Sequence, residues 1–413
     1  MKRLRPISTR RLLTIVGVVA LLALTAGIAQ GALSDSSPTP PAKPLDQAVV
    51  DAANGPKVDG LTASVTFDNH LLPSGSLPQG SASPLLAGAK GRLWVTADGR
   101  FRVELQSQSG DAQVVSDGKQ LTVYDASSNT AYRFDVPQGK DEGGDQRGGQ
   151  HEHKPLTLEQ VDKAISRITQ HWTLSDANPT STAGQPTYTV RISPKDDGGL
   201  LGAAELAFDA NHGIPLRAAV YADNQDSPVL ELKADDISYG QVNASDVAVG
   251  PPSGARVIDM SSRQKDAAGK AREHGGTRVT GVDAVQAKVP FTLVAPDSVA
   301  GLPRQEVRLV DRGDGPPGAV AVYGKGLGAI VVAEQDAKSA KDHGGGPLGG
   351  GGGDRGDRDE QLRLPTVNID GATGQELATA LGTVVTFERG GVSYTVAGSV
   401  PPQAAEQAAR ELK

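Results

Sequence analysis

Hydrophobic and polar residues alternate with a period of two through the stretch from Leu61 to Val136. Alternation of this kind is typical of β-strands that bury one face. The intervening pairs Asp98-Gly99 and Asp117-Gly118 are turn sequences that favour tight hairpins. The pattern therefore predicts an antiparallel meander made of the runs LTASVTF, GRLWVTA, RFRVELQ, AQVVS, QLTVYD and AYRFDV.

A helical period interrupts the strands once, between Leu158 and Trp172, where one apolar stripe runs along the segment. Thr157 and Gln160 have the spacing of a capping box, which marks the start of this helix. Because such a stripe needs an apolar surface, we expect it to lie on the concave face of the meander. Strand patterns then return in the runs PTYTVRI, AAELAFD, PLRAAVYA and PVLELKADDISYG.

The N-terminal segment combines basic residues with a long apolar run. Five Lys and Arg residues precede Leu12, and no charged residue occurs from there to Ala29. Residues 1–31 are therefore either a signal peptide cleaved near Gly31 or a membrane anchor. Residues 32–44 are rich in Pro and Ser and predict an extended stalk. Both alternatives place the bulk of the chain outside the cytoplasm.

A second folded block is predicted at residues 285–413, after a first domain at 45–258 and a linker at 259–284. Its strand-like runs are FTLVAP, EVRLVD, AVAVYG and GAIVVAE, followed by the hairpin TVVTFERGGVSYTVAGS. A Gly-rich insert at 337–360 interrupts the block and is predicted to be disordered. A short helix from Gln403 to Leu412 ends the chain. We therefore expect a smaller α+β domain here.

Composition removes most chemical functions. The chain has no cysteine, which excludes disulfides and thiolate sites, and its net charge of −7 makes nucleic acid an unexpected partner. His151-Glu152-His153 could bind a metal but lies in a Gly-rich acidic run, and YGKGLGA at 323–329 is interpreted as a hairpin turn. We find no motif for a nucleophile or base, so the sequence predicts no catalytic residue, metal or cofactor, and no enzyme.

The runs GRLWV, RFRVE and VVSDGK, followed by an apolar-Tyr-Asp ending, resemble the central segment of the LolA family of lipoprotein carriers. The stretch from Ala207 to Gly254 resembles the last strands of that family. The resemblance covers residues 45–257. It implies a mainly β, α+β fold: a curved, unclosed antiparallel sheet, or half-barrel, with helices plugging its concave face. It also implies an apolar cavity for a lipid or the acyl chain of a lipoprotein.

Alternation within the resembling segment, together with the helix stripe, selects the candidate cavity residues. They are Leu93, Val95, Phe101, Val103, Leu105, Val115, Leu121, Val123, Tyr132 and Phe134 from the strands, and Val161, Ile165 and Ile168 from the helix. Carriers of the family have a basic residue just after the Leu-Trp-Val strand, where this chain has Ala97. The nearest basic residues are Arg100 and Arg102.

RseB-type regulators of sigma factors have a similar shape, so a second hypothesis stays open. In it, the chain is an envelope sensor that binds a membrane protein such as an anti-sigma factor. The second block, 285–413, resembles a C-terminal domain of Gram-positive membrane proteins linked to anti-sigma factors and sporulation. That resemblance rests on the hairpin VTFERGGVSYTVAG and the Ala-rich helix after it.

Overall fold

The computed structural model describes residues 39–72, 83–108, 110–136, 157–196, 199–260, 279–310, 316–342 and 364–413. Within these ranges, no helix has the length and apolar character needed to cross a membrane. The predicted signal peptide or anchor, the metal-binding motif at 151–153 and most of the Gly-rich insert lie outside the described residues.

The first part of the chain forms a 13-stranded sheet. Its strands are β1 (Gly60–Asn69), β2 (Ala89–Thr96), β3 (Phe101–Ser107), β4 (Gly110–Ser116), β5 (Gln120–Asp125), β6 (Thr130–Asp135), β7 (Trp172–Leu174), β8 (Asn178–Thr182), β9 (Gln185–Pro194), β10 (Leu201–Asp209), β11 (Pro215–Ala222), β12 (Leu230–Tyr239) and β13 (Arg256–Asp259). Four helices accompany it in the described residues: α1 (Leu45–Ala53), α2 (Pro84–Ala87), α3 (Leu158–Ile168) and α4 (Ala244–Val247).

Strand order in this first sheet is β13-β6-β5-β4-β3-β2-β1-β12-β11-β10-β9-β7, and β8 pairs with β9. The pairings are antiparallel except for β13, which runs parallel to β6. The sheet is open and strongly curled and forms a half-barrel, which confirms the predicted fold class. The sheet consists mainly of two meanders, β1–β6 and β9–β12, which are joined in the middle of the sheet where β1 pairs with β12.

The second part of the chain forms an 8-stranded sheet in the order β14-β15-β16-β17-β21-β20-β19-β18. Its strands are β14 (Ser298–Val299), β15 (Leu302–Val310), β16 (Gly318–Tyr323), β17 (Ile330–Asp336), β18 (Thr366–Ile369), β19 (Ala372–Thr379), β20 (Gly382–Arg389) and β21 (Val392–Gly398). The helices of this part are α5 (Val282–Gln286), α6 (Ala337–Asp342) and α7 (Pro402–Glu411).

Each sheet has its own hydrophobic core. The core of the second sheet is filled by residues from 285 onward, including Val285 of α5 and three fully buried alanines of α7. The core of the first sheet consists of residues up to Tyr239. Among the described residues, two backbone hydrogen bonds join the parts of the chain that form the two sheets: Leu200 N donates to Ser399 O at 3.0 Å, and Ala380 N donates to Leu71 O at 2.8 Å.

Several elements differ from the predicted pattern. The run FTLVAP at 291–296 is not a strand; its Leu293 fills the core of the second sheet from an irregular segment. The predicted linker at 259–284 overlaps the end of β13 and the start of α5, and the predicted insert at 337–360 begins with α6. YGKGLGA does form the turn between β16 and β17, as interpreted.

Candidate functional site

One face of the first sheet is apolar across six neighbouring strands; we name it the apolar face. The strand register aligns its side chains in rows. Two of these rows are Leu61–Val95–Phe101–Ser116–Leu121–Phe134 and Ala63–Leu93–Val103–Val114–Val123–Tyr132. The side chains of the opposite face, which we name the polar face, form rows such as Thr62–Trp94–Arg102–Val115–Thr122–Arg133.

The apolar face is covered at one side and open at the other. Near β1 to β3 its residues are buried: Val95 is 5% exposed and Leu105 is 4% exposed. The short helix α2 lies over this part, where Leu85 packs into the core. Toward β5 and β6 the burial fades, and Tyr132 is 36% exposed. The open part therefore presents apolar surface without a complete cover from the described residues.

The structure brings nine of the predicted strand residues together on the apolar face. They are Leu93, Val95, Phe101, Val103, Leu105, Leu121, Val123, Tyr132 and Phe134. Val115 is different, because it lies on the polar face between Arg102 and Thr122. Its neighbour Val114, which the sequence analysis did not select, has the apolar-face position between Val103 and Val123.

Helix α3 packs against α1, and α1 in turn packs on Tyr188, Val190 and Phe208 of the first sheet. Its capping box forms as expected, with Thr157 and Gln160 bonded to each other's backbone. Of the predicted helix residues, Val161 is 4% exposed and Ile165 is half-buried, whereas Ile168 is 41% exposed. The apolar stripe of α3 is therefore buried only in part.

The large hydrophobic side chains that are exposed all belong to the first sheet and its helices, as far as the described ranges extend. They are Leu86, Tyr132, Leu158, Ile168, Leu232 and Val257. Leu232 lies opposite Phe67 and thus extends the apolar face onto β12. The second sheet has no exposed side chain of this kind among its described residues. Apolar binding surface is therefore concentrated in the half-barrel.

Neither of the two basic residues near Ala97 reaches the apolar face. Arg100 pairs with Asp98 at 2.8 Å. Arg102 lies on the polar face, with its guanidinium 5.1 Å from the centre of the Trp94 ring, and donates to the backbone oxygen of Asp246 in α4 at 3.1 Å. The arrangement therefore provides no cation on the apolar face at this position.

The polar face carries a charged network that the sequence analysis missed. Arg217 donates to Glu205 at 2.8 Å, to Glu231 at 2.5 Å and to the Tyr221 hydroxyl at 2.7 Å. Arg191 donates to the other oxygen of Glu205 at 2.9 Å. Burial alone would raise the pKa of Glu205, but the hydrogen bonds from Arg217, Tyr221 and Arg191 outweigh it, so the net pKa is lowered. The available signal was the alternation of these polar residues with apolar ones along β9 to β12.

A buried Asp–His–Tyr cluster lies at the turn between β10 and β11. Asp209 Oδ1 accepts from the backbone N of Asn211 and His212 at 2.7 and 2.9 Å, and Asp209 Oδ2 accepts from the Tyr239 hydroxyl at 2.6 Å. The His212 Nδ1 lies 3.2 Å from Asp209, and its ring packs on Tyr239. Burial, followed by the nearby Asp209 charge, raises the pKa of Tyr239. Since Asp209 binds the turn backbone, the cluster fixes the hairpin.

Metal binding finds no support in the described part of the chain. There, His, Asp and Glu side chains form no group of three or more that could hold a metal ion. The apolar face contributes no charged side chain to the two rows given above. This chemistry suits non-covalent contact with hydrocarbon.

Fold and site together define a two-sheet β protein with an open half-barrel and a partly uncovered apolar face. No family model and no curated protein matches the chain. Among solved structures, it is similar to MucB in complex with MucA(peri), with 15% identity, a TM-score of 0.40 and coverage of 89% of this chain and 96% of that one. A LolA superfamily protein from Nitrosomonas europaea has 12% identity, a TM-score of 0.21 and coverage of 50% and 99%.

Proposed function

We propose that this chain is a LolA-like extracytoplasmic binding protein that holds the acyl chain of a lipid or lipoprotein on the open part of its apolar face. The observation that carries the proposal is the row of half-exposed apolar side chains at β5 and β6, ending at Tyr132. Transfer of the acyl chain would involve no covalent step. The protein would act as a carrier or as a lipid sensor.

Hydrocarbon is the ligand that suits this surface best. An acyl chain offers no hydrogen-bonding group along its length, and the two rows of the apolar face consist of aliphatic and aromatic side chains with one serine. Each methylene removed from water contributes about 0.8 kcal/mol. A ligand of ten or more methylenes can therefore offset the entropy lost on binding without a polar anchor.

Substitution of Tyr132 tests the site. We expect Y132S to weaken the binding of a fluorescent fatty acid to the full-length protein about tenfold, because a large ring is lost from the open part of the apolar face. The side chain is already 36% exposed, so folding should be little affected. The measurement is a fluorescence titration, with native mass spectrometry of the gently extracted protein to detect bound lipid.

Tyr124 supplies the matched control for this variant. It lies on the neighbouring strand β5 but on the polar face, where its hydroxyl donates to Asn129 at 3.0 Å. Y124S should bind the fatty acid as the unmodified protein does. Equal weakening by both variants would reject the apolar face as the site. A clean unliganded mass with no saturable uptake would reject acyl binding and favour the other hypothesis, a regulator that binds a membrane protein such as an anti-sigma factor.

A further inference from the structure

In the described part of the second sheet, the buried core includes one carboxylic acid. Glu334 lies on β17, in register with Ala319 of β16 and Tyr394 of β21, and is 2% exposed. It follows Ile330 and Val332 at every second position, and both of these are fully buried. An acid in this position is unusual, because burying a carboxylate without a counter-charge costs several kcal/mol.

The hydrogen bonds of Glu334 are incomplete. Its Oε2 accepts from the backbone N of Val294 at 3.0 Å. Its Oε1 is buried and has no hydrogen-bond partner among the described residues, and the same is true of the Tyr323 hydroxyl. One backbone donor is too little to stabilise a buried carboxylate, so burial raises the pKa of Glu334 to about 7.

Two tyrosines interact with Glu334: Tyr323 on β16 and Tyr394 on β21. Charged groups lie near these tyrosines: Arg304 on β15 and Asp297 before β14 are near Tyr323, and Arg389 on β20 is near Tyr394. The two cations have other partners. Arg304 pairs with Asp297 at 2.8 Å, and Arg389 donates to the backbone oxygens of Ile369 and Leu412. Within the described residues, neither forms an ion pair with Glu334.

Through Val294, Glu334 holds the irregular run of residues 291–296, which we name the 291–296 segment. Besides the Val294 contact, it is held at Leu293 N and Phe291 O by the side-chain amide of Gln286, and at Ala295 O by the guanidinium of Arg304. Leu293 is 9% exposed and covers part of the core. Because Glu334 is 2% exposed and bonded to Val294, opening of this segment would bring water to the carboxyl group, so ionisation of the acid and release of the segment are coupled.

We propose that Glu334 is a proton-controlled clasp: its neutral form keeps the 291–296 segment closed over the second sheet, and its ionisation releases that segment. The direction of the pH effect follows from the linkage between protonation of Glu334 and opening of the segment. Since the acid is weaker in the closed state than in the open state, closure is most favoured at low pH. The preference is lost as the pH rises from about 5 to about 7, with the opening equilibrium constant increasing roughly tenfold per pH unit.

Hydrogen exchange followed by mass spectrometry tests this clasp in the full-length protein. After correction for the intrinsic exchange rate, peptides covering 291–296 should exchange about 50-fold faster at pH 7.5 than at pH 5. In E334Q, which keeps an oxygen for Val294 but cannot ionise, this acceleration should be absent. E306Q on β15 is the control, and it should behave like the unmodified protein. The same pH dependence in E334Q and the unmodified protein would overturn the proposal.

If E334Q does not fold, a second measurement tests the proposed clasp in the unmodified protein. In protein labelled with ¹³C at the glutamate carboxyls, the proposal requires a carboxyl resonance that titrates close to pH 7. Titration of every glutamate carboxyl at ordinary acidic pH would overturn it. Neither experiment involves lipid, so failure of the clasp and failure of acyl binding are separate results.

Discussion

Arg217 is the residue on which the charged network of the polar face depends. Replacing it with Met keeps much of the aliphatic stem and removes the donor shared by Glu205, Glu231 and Tyr221. We expect R217M to lower the free energy of unfolding by about 2–3 kcal/mol at pH 7, because two carboxylates lose their main partner. Denaturant unfolding measures the change. R100M, which breaks the more exposed pair with Asp98, should cost less than about 1 kcal/mol.

The effect of R217M should depend on pH. The pKa of Glu205 is lowered in the folded protein, so its ionised form stabilises the fold above the ordinary glutamate pKa of about 4.3. That contribution is lost as the pH falls through the lowered pKa. The difference between R217M and the unmodified protein should therefore shrink in strong acid. A difference that stays constant from pH 7 to pH 3 would show that packing of the Arg stem, not charge, is what the substitution removes.

At the level of single residues, the sequence predicts well which face of the sheet a side chain lies on, provided that apolar and polar residues alternate strictly. Leu93 and Val95 are separated by Trp94 in such a pattern, and both lie on the apolar face. Val114 and Val115 are adjacent apolar residues, so alternation alone does not decide which one faces the core. Glu334 shows the converse. It lies two residues after Val332 and four after Ile330, so a strand places it on the same buried face as these residues, although glutamate side chains are usually exposed.

Among the elements, strand β2 tolerates a side chain poorly at Gly91. This residue lies between Val65 of β1 and Leu105 of β3, and a Cβ there would come within 1.8 Å of the Glu104 backbone oxygen. We expect G91V to lower the free energy of unfolding by about 2 kcal/mol or more, because β2 must move away from β3. G250V is the control, since a Cβ at Gly250 meets nothing within 4 Å. Similar unfolding midpoints for both variants would contradict the close approach.

Hairpins were the elements that the sequence predicted best, because turn pairs such as Asp117-Gly118 fix both their position and their register. Strands with few apolar residues or with a distant partner were missed, although the turns Ala183-Gly184 and Asp370-Gly371 adjoin two of them. β8 contains Pro179 and polar residues, β19 mixes polar residues with Gly374, and β13 pairs in parallel with the distant β6. The 291–296 segment has the composition of a strand but pairs with no strand of the second sheet. Tertiary context decides such cases.

For the whole molecule, the contact between the sheets depends on Gly199. This residue has a φ of 60°, and a Cβ on it would lie 2.1 Å from the Ser399 backbone oxygen. We expect G199V to break the bond from Leu200 N to Ser399 and to speed exchange of the Leu200 amide at least fivefold, because about 1 kcal/mol of hydrogen-bond free energy is lost. Both sheets should keep their circular-dichroism signal, since each has its own core.

Gly184 provides the control for this variant. It also has a positive φ, 72°, but a Cβ there meets nothing within 4 Å. G184V carries the same backbone strain without disturbing the contact between the sheets. Exchange at Leu200 should therefore be normal in G184V. Equal exchange rates in the two variants would show that the contact near Ser399 does not hold the sheets together in solution.

The half-barrel itself was predicted through a family resemblance, and alternation alone would have left the strand order open. Local turns determine the order from β2 to β6 and from β9 to β12, but no turn signal joins β1 to β12. That pairing depends on long-range packing of Val65 and Phe67 against β12. The sequence likewise did not predict where the second sheet contacts the first. That contact includes backbone hydrogen bonds, which leave no pattern of side chains in the sequence.

The pairing of β1 with β12 also determines when the half-barrel can form. The side chains of Thr66 and Asp235 bond across this pair although they are 169 residues apart in the chain. At 5–20 residues per second, the ribosome needs roughly 10–30 s to make the intervening chain. Throughout that interval β1 has no partner on one edge, and the late, non-local closure makes folding slow. A nascent chain therefore exposes an edge strand to aggregation until its second meander arrives.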